Sequence, residues 1–175
     1  MRDYVLLLRG INVGGHNRLP MAQLRELLAA AGCHDVATYI QSGNAVLRHQ
    51  MPLQKLSGRI SDAITAECGF TPTVMLLPAA EFRAILAANP FKNEEPGHVH
   101  AWILGAPAPD AGLARIAALA AESERYELTG KAFFLHAPLG IGRSKLASGV
   151  EKCLGVDSTA RNGRTLARIA DLLDA

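Results

Sequence analysis

Two nine-residue stretches of this chain align without a gap, and they constrain the fold more than any other feature. Tyr39-Ile-Gln-Ser-Gly-Asn-Ala-Val-Leu matches Tyr126-Glu-Leu-Thr-Gly-Lys-Ala-Phe-Phe. Tyrosine, a hydroxyl residue, glycine and alanine coincide, and apolar residues fill the last two places. Each stretch is a pair of β-rich runs around a glycine-containing turn, which reads as a hairpin. The offset from 39 to 126 is 87 residues in a chain of 175. A repeat of that period makes the chain two copies of one unit.

The elements around each hairpin agree with that reading. Residues 4–8 form a continuous apolar run of strand length, the pattern of a strand buried on both faces. Met21, Leu24, Leu27, Leu28 and Ala31 recur at helical spacing, and Gly32 sits where a glycine ends a helix. After the first hairpin, Leu53, Leu56, Ile60, Ala63 and Ile64 mark a second helix ended by Gly69, and residues 73–77 a short strand. The second copy reads likewise. Residues 98–104 are a strand, 110–121 an alanine-rich helix, 125–136 the hairpin and 140–154 a loop and helix, with 158–161 as the candidate closing strand. Residues 165–173 add a final helix. The predicted fold class is α+β, a duplicated ferredoxin-like β-α-β-β-α-β unit in two pseudo-symmetric halves. The first half is expected over residues 1–78. A connecting helix around Phe82, Ile85 and Leu86 and a linker follow over 79–97, and the second half with its C-terminal helix covers 98–175.

Hydrophobic residues make up 49% of the sequence, enough for a packed interior, and a net charge of +2 does not by itself point to a nucleic-acid partner. Cys33, Cys68 and Cys153 are far apart and form no CxxC pair. They are expected as free thiols in a reducing compartment, which makes cytoplasmic the default location. The apolar run near the amino terminus is too short for a membrane span or signal sequence, so no membrane association is expected.

Several longer motifs carry a resemblance. RGINVGG (9–15), LPMAQLRELL (19–28), TYIQSGN (38–44), NPF (89–91), GIGRSKL (140–146) and TARN (159–162) resemble, in order, the hallmark segments of the bacterial domain-of-unknown-function family 1697. The resemblance runs from Tyr4 to about Leu173. It implies two pseudo-symmetric α+β halves, with no activity, cofactor or catalytic residue attached. One departure stands out. The family's last motif continues from arginine and asparagine into tryptophan, whereas Gly163 follows Arg161-Asn162 here. An aromatic able to stack on a ring is thereby missing.

Charge is unevenly distributed. No acidic residue occurs between Tyr4 and Arg25, Val36 and Ser61, Leu128 and Val150, or Ser158 and Ala170. These windows hold the polar candidates for ligand binding: Arg9, Asn12 and Arg18; Gln41, Ser42 and Asn44; Arg143, Ser144 and Lys145; Arg161 and Asn162. Loops rich in cations and poor in carboxylates create local positive potential despite the small net charge. GIGRSK is the sharpest of them, because two glycines precede Arg143, Ser144 and Lys145 at a helix start. Exposed N–H groups there suit phosphate or carboxylate, while Ser144 is equally suited to capping the helix. Asn44 suits either a ligand's polar edge or a left-handed turn beside Gly43. RGINVGG lacks the GxGxxG spacing of a dinucleotide fold, so its glycines fit an irregular turn braced by Arg9 and Asn12.

Enzyme signatures are sparse. GxSxG, HExxH and paired-carboxylate patterns are absent, and His98 and His100 on one strand face have no third ligand at suggestive spacing. No cofactor or metal is expected, and His16 is the one evident candidate base in the polar loops. Three readings stay open. In the first, a binding module takes an anionic ligand, nucleic acid or nucleotide, at a basic surface where the loops of both halves converge. In the second, an enzyme acts on a small phosphorylated or carboxylated metabolite. In the third, a protein-interaction module carries no ligand site.

Overall fold

The structure, a computed structural model, describes residues 1–109 and 111–175. Its elements run β1 (Arg2–Arg9), α1 (Met21–Ala30), β2 (His34–Tyr39), β3 (Asn44–His49), α2 (Leu53–Cys68), β4 (Thr73–Pro78) and α3 (Ala79–Ala87). They continue with β5 (Val99–Leu104), α4 (Ala111–Leu119), β6 (Arg125–Leu128), β7 (Ala132–His136), α5 (Lys145–Leu154), β8 (Ser158–Asn162) and α6 (Gly163–Leu173). The strands form two four-stranded antiparallel sheets of identical order, β2-β3-β1-β4 and β6-β7-β5-β8. The duplicated β-α-β-β-α-β arrangement is therefore present, closing strand included. Asp110, the expected first residue of the alanine-rich helix, lies outside the described residues.

Contacts divide the chain into two compact units, Met1–Ala84 with Ala167–Ala175, and Ile85–Leu166. The chain crosses from one to the other inside α3 and returns inside α6. This division assigns residues 85–97, read from sequence as helix end and linker, to the second unit. The proline- and glutamate-rich stretch is indeed tied down. Phe91 is buried with its ring 5.9 Å from that of His136, and the Arg125 guanidinium lies over its face at 5.4 Å. Glu94 bridges to Arg125 and Glu95 to Arg164, and each arginine holds its carboxyl below the usual carboxylate range. Both pairs are exposed, so they fix local geometry more than they add stability.

In the first unit, β1 lies between β3 and β4, with Leu6 opposite both Ala45 and Leu76. Tyr4, Leu6 and Leu8 join Leu24 and Leu28 of α1 and Leu56, Ile60 and Ile64 of α2 in one core. Val5 and Leu7 point to the other face and are also fully buried, which is why the run is apolar without alternation. α1 ends as its glycine requires. The Gly32 N–H reaches Ala29 O at 2.9 Å and the Cys33 N–H reaches Leu28 O at 3.0 Å, with Gly32 at φ 84°. That is a Schellman closure.

In the second unit Trp102, Leu104, Phe133 and Leu135 of the sheet pack on Ile116 of α4 and Leu146, Val150 and Leu154 of α5. Gly163, which stands where the resembled motif has tryptophan, backs onto the 95–97 turn. A Cβ there would lie 2.8 Å from Pro96 O, so a larger residue has no room.

Candidate functional site

The most constrained polar surface of the first unit is the loop between β1 and α1 together with the turn of the β2–β3 hairpin. Five of the nine residues in 10–18 have positive φ: Gly10, Asn12, Gly14, Gly15 and Asn17. Three are glycines and two asparagines, the residues for which a left-handed backbone costs least. Val13 and His16 form a small antiparallel bridge at the tip.

Asn12 is the brace. Its Nδ2 donates to Leu19 O at 2.9 Å and to Gln41 O at 2.7 Å, and its Oδ1 accepts from Leu19 N at 2.8 Å. Asn17 Nδ2 donates to Gly10 O at 2.8 Å, which closes the loop base. The hairpin turn is fastened separately, by Leu8 N donating to Gly43 O at 2.8 Å. Replacing Asn12 with alanine removes three bonds at once and leaves a Cβ residue at φ 53°. Hydrogen exchange at the Leu19 amide is then expected to quicken roughly tenfold or more, since each bond contributes on the order of 1 kcal/mol.

Around this brace the candidates separate into scaffold and surface. Arg18 is exposed and, among the described residues, forms no hydrogen bond or ion pair. Gln41 is exposed at the turn, and its backbone O is the one that accepts from Asn12. Arg9 ends β1 opposite Thr73 and is half-buried. Ser42 is half-buried, and its Oγ accepts from Asn44 Nδ2 at 2.9 Å. Asn44 itself is fully buried and also donates to Tyr39 O at 3.1 Å.

The left-handed residues of this turn are Ile40, at φ 47°, and Gly43, while Asn44 is the first residue of β3. The sequence expectation of a left-handed Asn44 is corrected on this point, because its pairing opposite Tyr39 commits it to the ladder. A β-branched residue at positive φ is strained. Ile40 and Val13 are also two of the large apolar side chains left exposed.

In the second unit Arg143, Ser144 and Lys145 stand at the start of α5. Ser144 is buried and caps the helix, its Oγ accepting from Ala147 N at 2.9 Å. Arg143 and Lys145 are exposed and without hydrogen bonds or ion pairs among the described residues. An open cleft of about 270 Å³ runs past Arg143 and Ser144, with Glu124, Leu139 and Gly140 among its lining residues. No motif or charge pattern singles out Glu124. It belongs to the connection before β6, and folding carries it beside a loop whose own sequence window holds no carboxylate.

Arg161 and Asn162 stand apart from these exposed cations. Arg161 lies within β8 opposite Ala101, and its guanidinium folds onto Thr159 Oγ1 at 2.9 Å and Ala160 O at 2.7 Å. Burial pulls its pKa down to about 10. Asn162 caps α6 by accepting from Thr165 N at 2.8 Å. Both side chains bond within the scaffold here, on the closing strand expected over residues 158–161.

The paired histidines separate too. His98 precedes β5, whereas His100 is buried in it with Nδ1 unpartnered, and burial pushes its pKa below the usual value. Among the described residues no three His, Cys, Asp or Glu side chains gather as a metal-binding group. Likewise no helix among them is long and apolar enough to cross a membrane.

The solved structure of conserved bacterial protein SP0830 from Streptococcus pneumoniae superposes with a TM-score of 0.79. It covers 98% of each chain at 24% identity, a likeness of fold. No curated protein matches the chain. A family model described as "Protein of unknown function (DUF1697)" matches residues 1–134, a span that includes the braced loop and both hairpin turns and ends before the start of α5. The chain belongs to that family.

Proposed function

We propose that the chain is a binding module for an anionic ligand, a nucleotide or nucleic acid, held by cations on its polar loops. The observation that carries this reading is an asymmetry between the two copies. The connection from β1 to α1 spans residues 10–20, whereas the same connection in the second copy, from β5 to α4, spans 105–110. The fold closes with the shorter connection. The longer one is nevertheless fixed in an uncommon backbone conformation and presents Arg18 outward.

Charge supports the same reading. Arg48, Arg83, Arg125, Arg164 and Arg168 each bridge to a carboxylate. Among the described residues Arg18, Arg143 and Lys145 do not, and they stand on a loop or a helix start, where N–H groups and cations act together. Lys55, Arg59, Arg115 and Lys152 stand within helices, and Lys92 lies exposed on the connection from α3 to β5.

Binding of a labelled oligonucleotide, followed by fluorescence anisotropy, is expected to weaken steeply with salt. Three phosphate contacts give a slope of roughly −3 in log K against log salt, or about 40-fold between ~50 and ~200 mM. Absence of salt-sensitive affinity for DNA, RNA and mononucleotides alike would remove the proposal. The enzyme reading draws on one observation, the cleft where Glu124 stands as a titratable group beside Arg143. Turnover of a small phosphorylated or carboxylated compound, abolished by Glu124→Gln, would favour it.

A further inference from the structure

The first copy departs from the second at two places, and the Asn12 side chain joins them. One departure is the long connection from β1 to α1. The other is the hairpin turn, which the first copy makes over residues 40–43 with Ile40 and Gly43 left-handed. The second copy makes the same turn over residues 129–131 with no positive φ. A left-handed isoleucine is therefore not something this hairpin needs in order to close. Ile40 is also 49% exposed, so core burial does not account for its conformation. Strain kept where the fold does not require it points to a functional contact.

The bonds of Asn12 say what surrounds that contact. They run to Gln41 O and to the backbone N and O of Leu19. Val13, Ile40 and Arg18 are the chain neighbours of the three residues so joined. One corner of the first unit thus carries two exposed aliphatic side chains, Val13 at 67% and Ile40 at 49%, with an exposed arginine. Neither Arg18 nor the Gln41 side chain has a hydrogen bond or ion pair among the described residues. Aliphatic surface of this kind gains free energy once apolar surface of a guest covers it.

We infer that this corner takes a single-stranded segment of nucleic acid, with Arg18 on a phosphate and unstacked base faces against Val13 and Ile40. The assignment rests on the anion-binding reading of Arg18. Phosphates and apolar ring faces alternate along a strand, which matches a cation beside aliphatic side chains. In a duplex the ring faces are closed within the stack and the grooves offer mainly polar edges. In a single strand those faces are open. The Gln41 amide both donates and accepts, so it meets the edge of any base. A free mononucleotide suits the corner less, because small-ligand sites enclose most of their ligand and both aliphatic side chains here lie open.

Fluorescence anisotropy of the full chain with three labelled probes tests the assignment. They are a mixed-sequence single strand of about 12 nucleotides, the same strand with every base removed, and the matching duplex. The intact strand is expected to bind roughly fivefold to tenfold tighter than the abasic one, the lower end of what a base packed on a side chain contributes. Ile40→Gly and Val13→Ser are each expected to narrow that gap, and the double variant to close it. Affinity for the abasic strand and for the duplex is expected to stay as in the native chain. Glycine is relaxed at the φ of 47° that Ile40 holds, so Ile40→Gly is expected to melt no lower than the native protein. Val13→Ser, at the loop tip, reads the same contact without altering the hairpin turn.

Equal affinity for the intact and abasic strands overturns the assignment and leaves the anion reading standing. A gap that survives the double variant also overturns it, and would leave the aliphatic pair to a protein partner. A loss of duplex affinity as large as the loss for the single strand would mean a wedge into stacked DNA, and overturns it as well. Absence of salt-sensitive affinity for all three probes would sink it together with the nucleic-acid form of the anion reading.

Discussion

Gly43→Ala is expected to destabilise the protein by about 2–5 kcal/mol, while the equivalent change in the repeat, Gly130→Ala, is expected to stay within about 0.5 kcal/mol. Gly43 holds φ 76°, where an added Cβ costs on the order of 1–2 kcal/mol. That Cβ would also lie 2.6 Å from Leu8 Cβ and 2.7 Å from Ile11 Cδ1, and Leu8 Cβ sits too close to the backbone to swing aside. Overpacking of this kind adds about 1–3 kcal/mol. Gly130 meets nothing within 4 Å and needs no left-handed backbone. Urea denaturation of the two variants measures the contrast directly. The first variant also disturbs the Leu8 N to Gly43 O bond that fastens the turn beside the braced loop, so ligand binding through Arg18 is expected to fall with stability.

Phe133→Ala is expected to cost about 3–5 kcal/mol, the range for emptying a large aromatic site in a core that cannot collapse around it. Phe133 is fully buried between two rings, with Trp102 edge-on at 5.9 Å and Tyr126 stacked at 5.8 Å. Leu135, Leu146 and Val150 complete the packing of that core, and all three are fully buried as well. For a chain of this size each kcal/mol lowers the melting temperature by roughly 2–4 °C, so a fall of about 6–20 °C is expected by calorimetry. A loss below about 1 kcal/mol would mean that the second unit lacks the dense core described above.

Much of this architecture was legible from residues alone, for physical reasons that differ by element. Burial on both faces leaves a strand no polar positions, so β1 shows as an unbroken apolar run. The hairpins show through their turn chemistry, and their repetition fixes the topology. The short closing strand was readable at residues 158–161 because nothing else in the second copy can complete the sheet.

The candidate site was read less completely. Asn44 resembles a turn residue, yet the four-residue turn of 40–43 pushes it into the ladder and leaves strained Ile40 to take the left-handed backbone. Propensity would never assign Ile40 that role. Arg161 looks like an available cation, but it lies within β8 with its guanidinium donating to Thr159 Oγ1 and Ala160 O. Glu124 is invisible to any argument from local charge, since only the folded chain brings it to the cleft. What sequence did mark correctly as exposed and basic is Arg18, Arg143 and Lys145, whose windows lack nearby acids.

These exposed cations, Arg18 in the first unit and Arg143 and Lys145 in the second, are each expected to hold anionic groups of a guest. The most direct test compares the native chain with the triple variant Arg18→Ala, Arg143→Ala, Lys145→Ala in the oligonucleotide salt series. All three side chains are exposed, so the variant is expected to melt with the native protein. Its log K against log salt plot is expected to flatten from a slope of roughly −3 towards zero. A slope unchanged in the triple variant would place the binding charge elsewhere on the molecule and contradict the account.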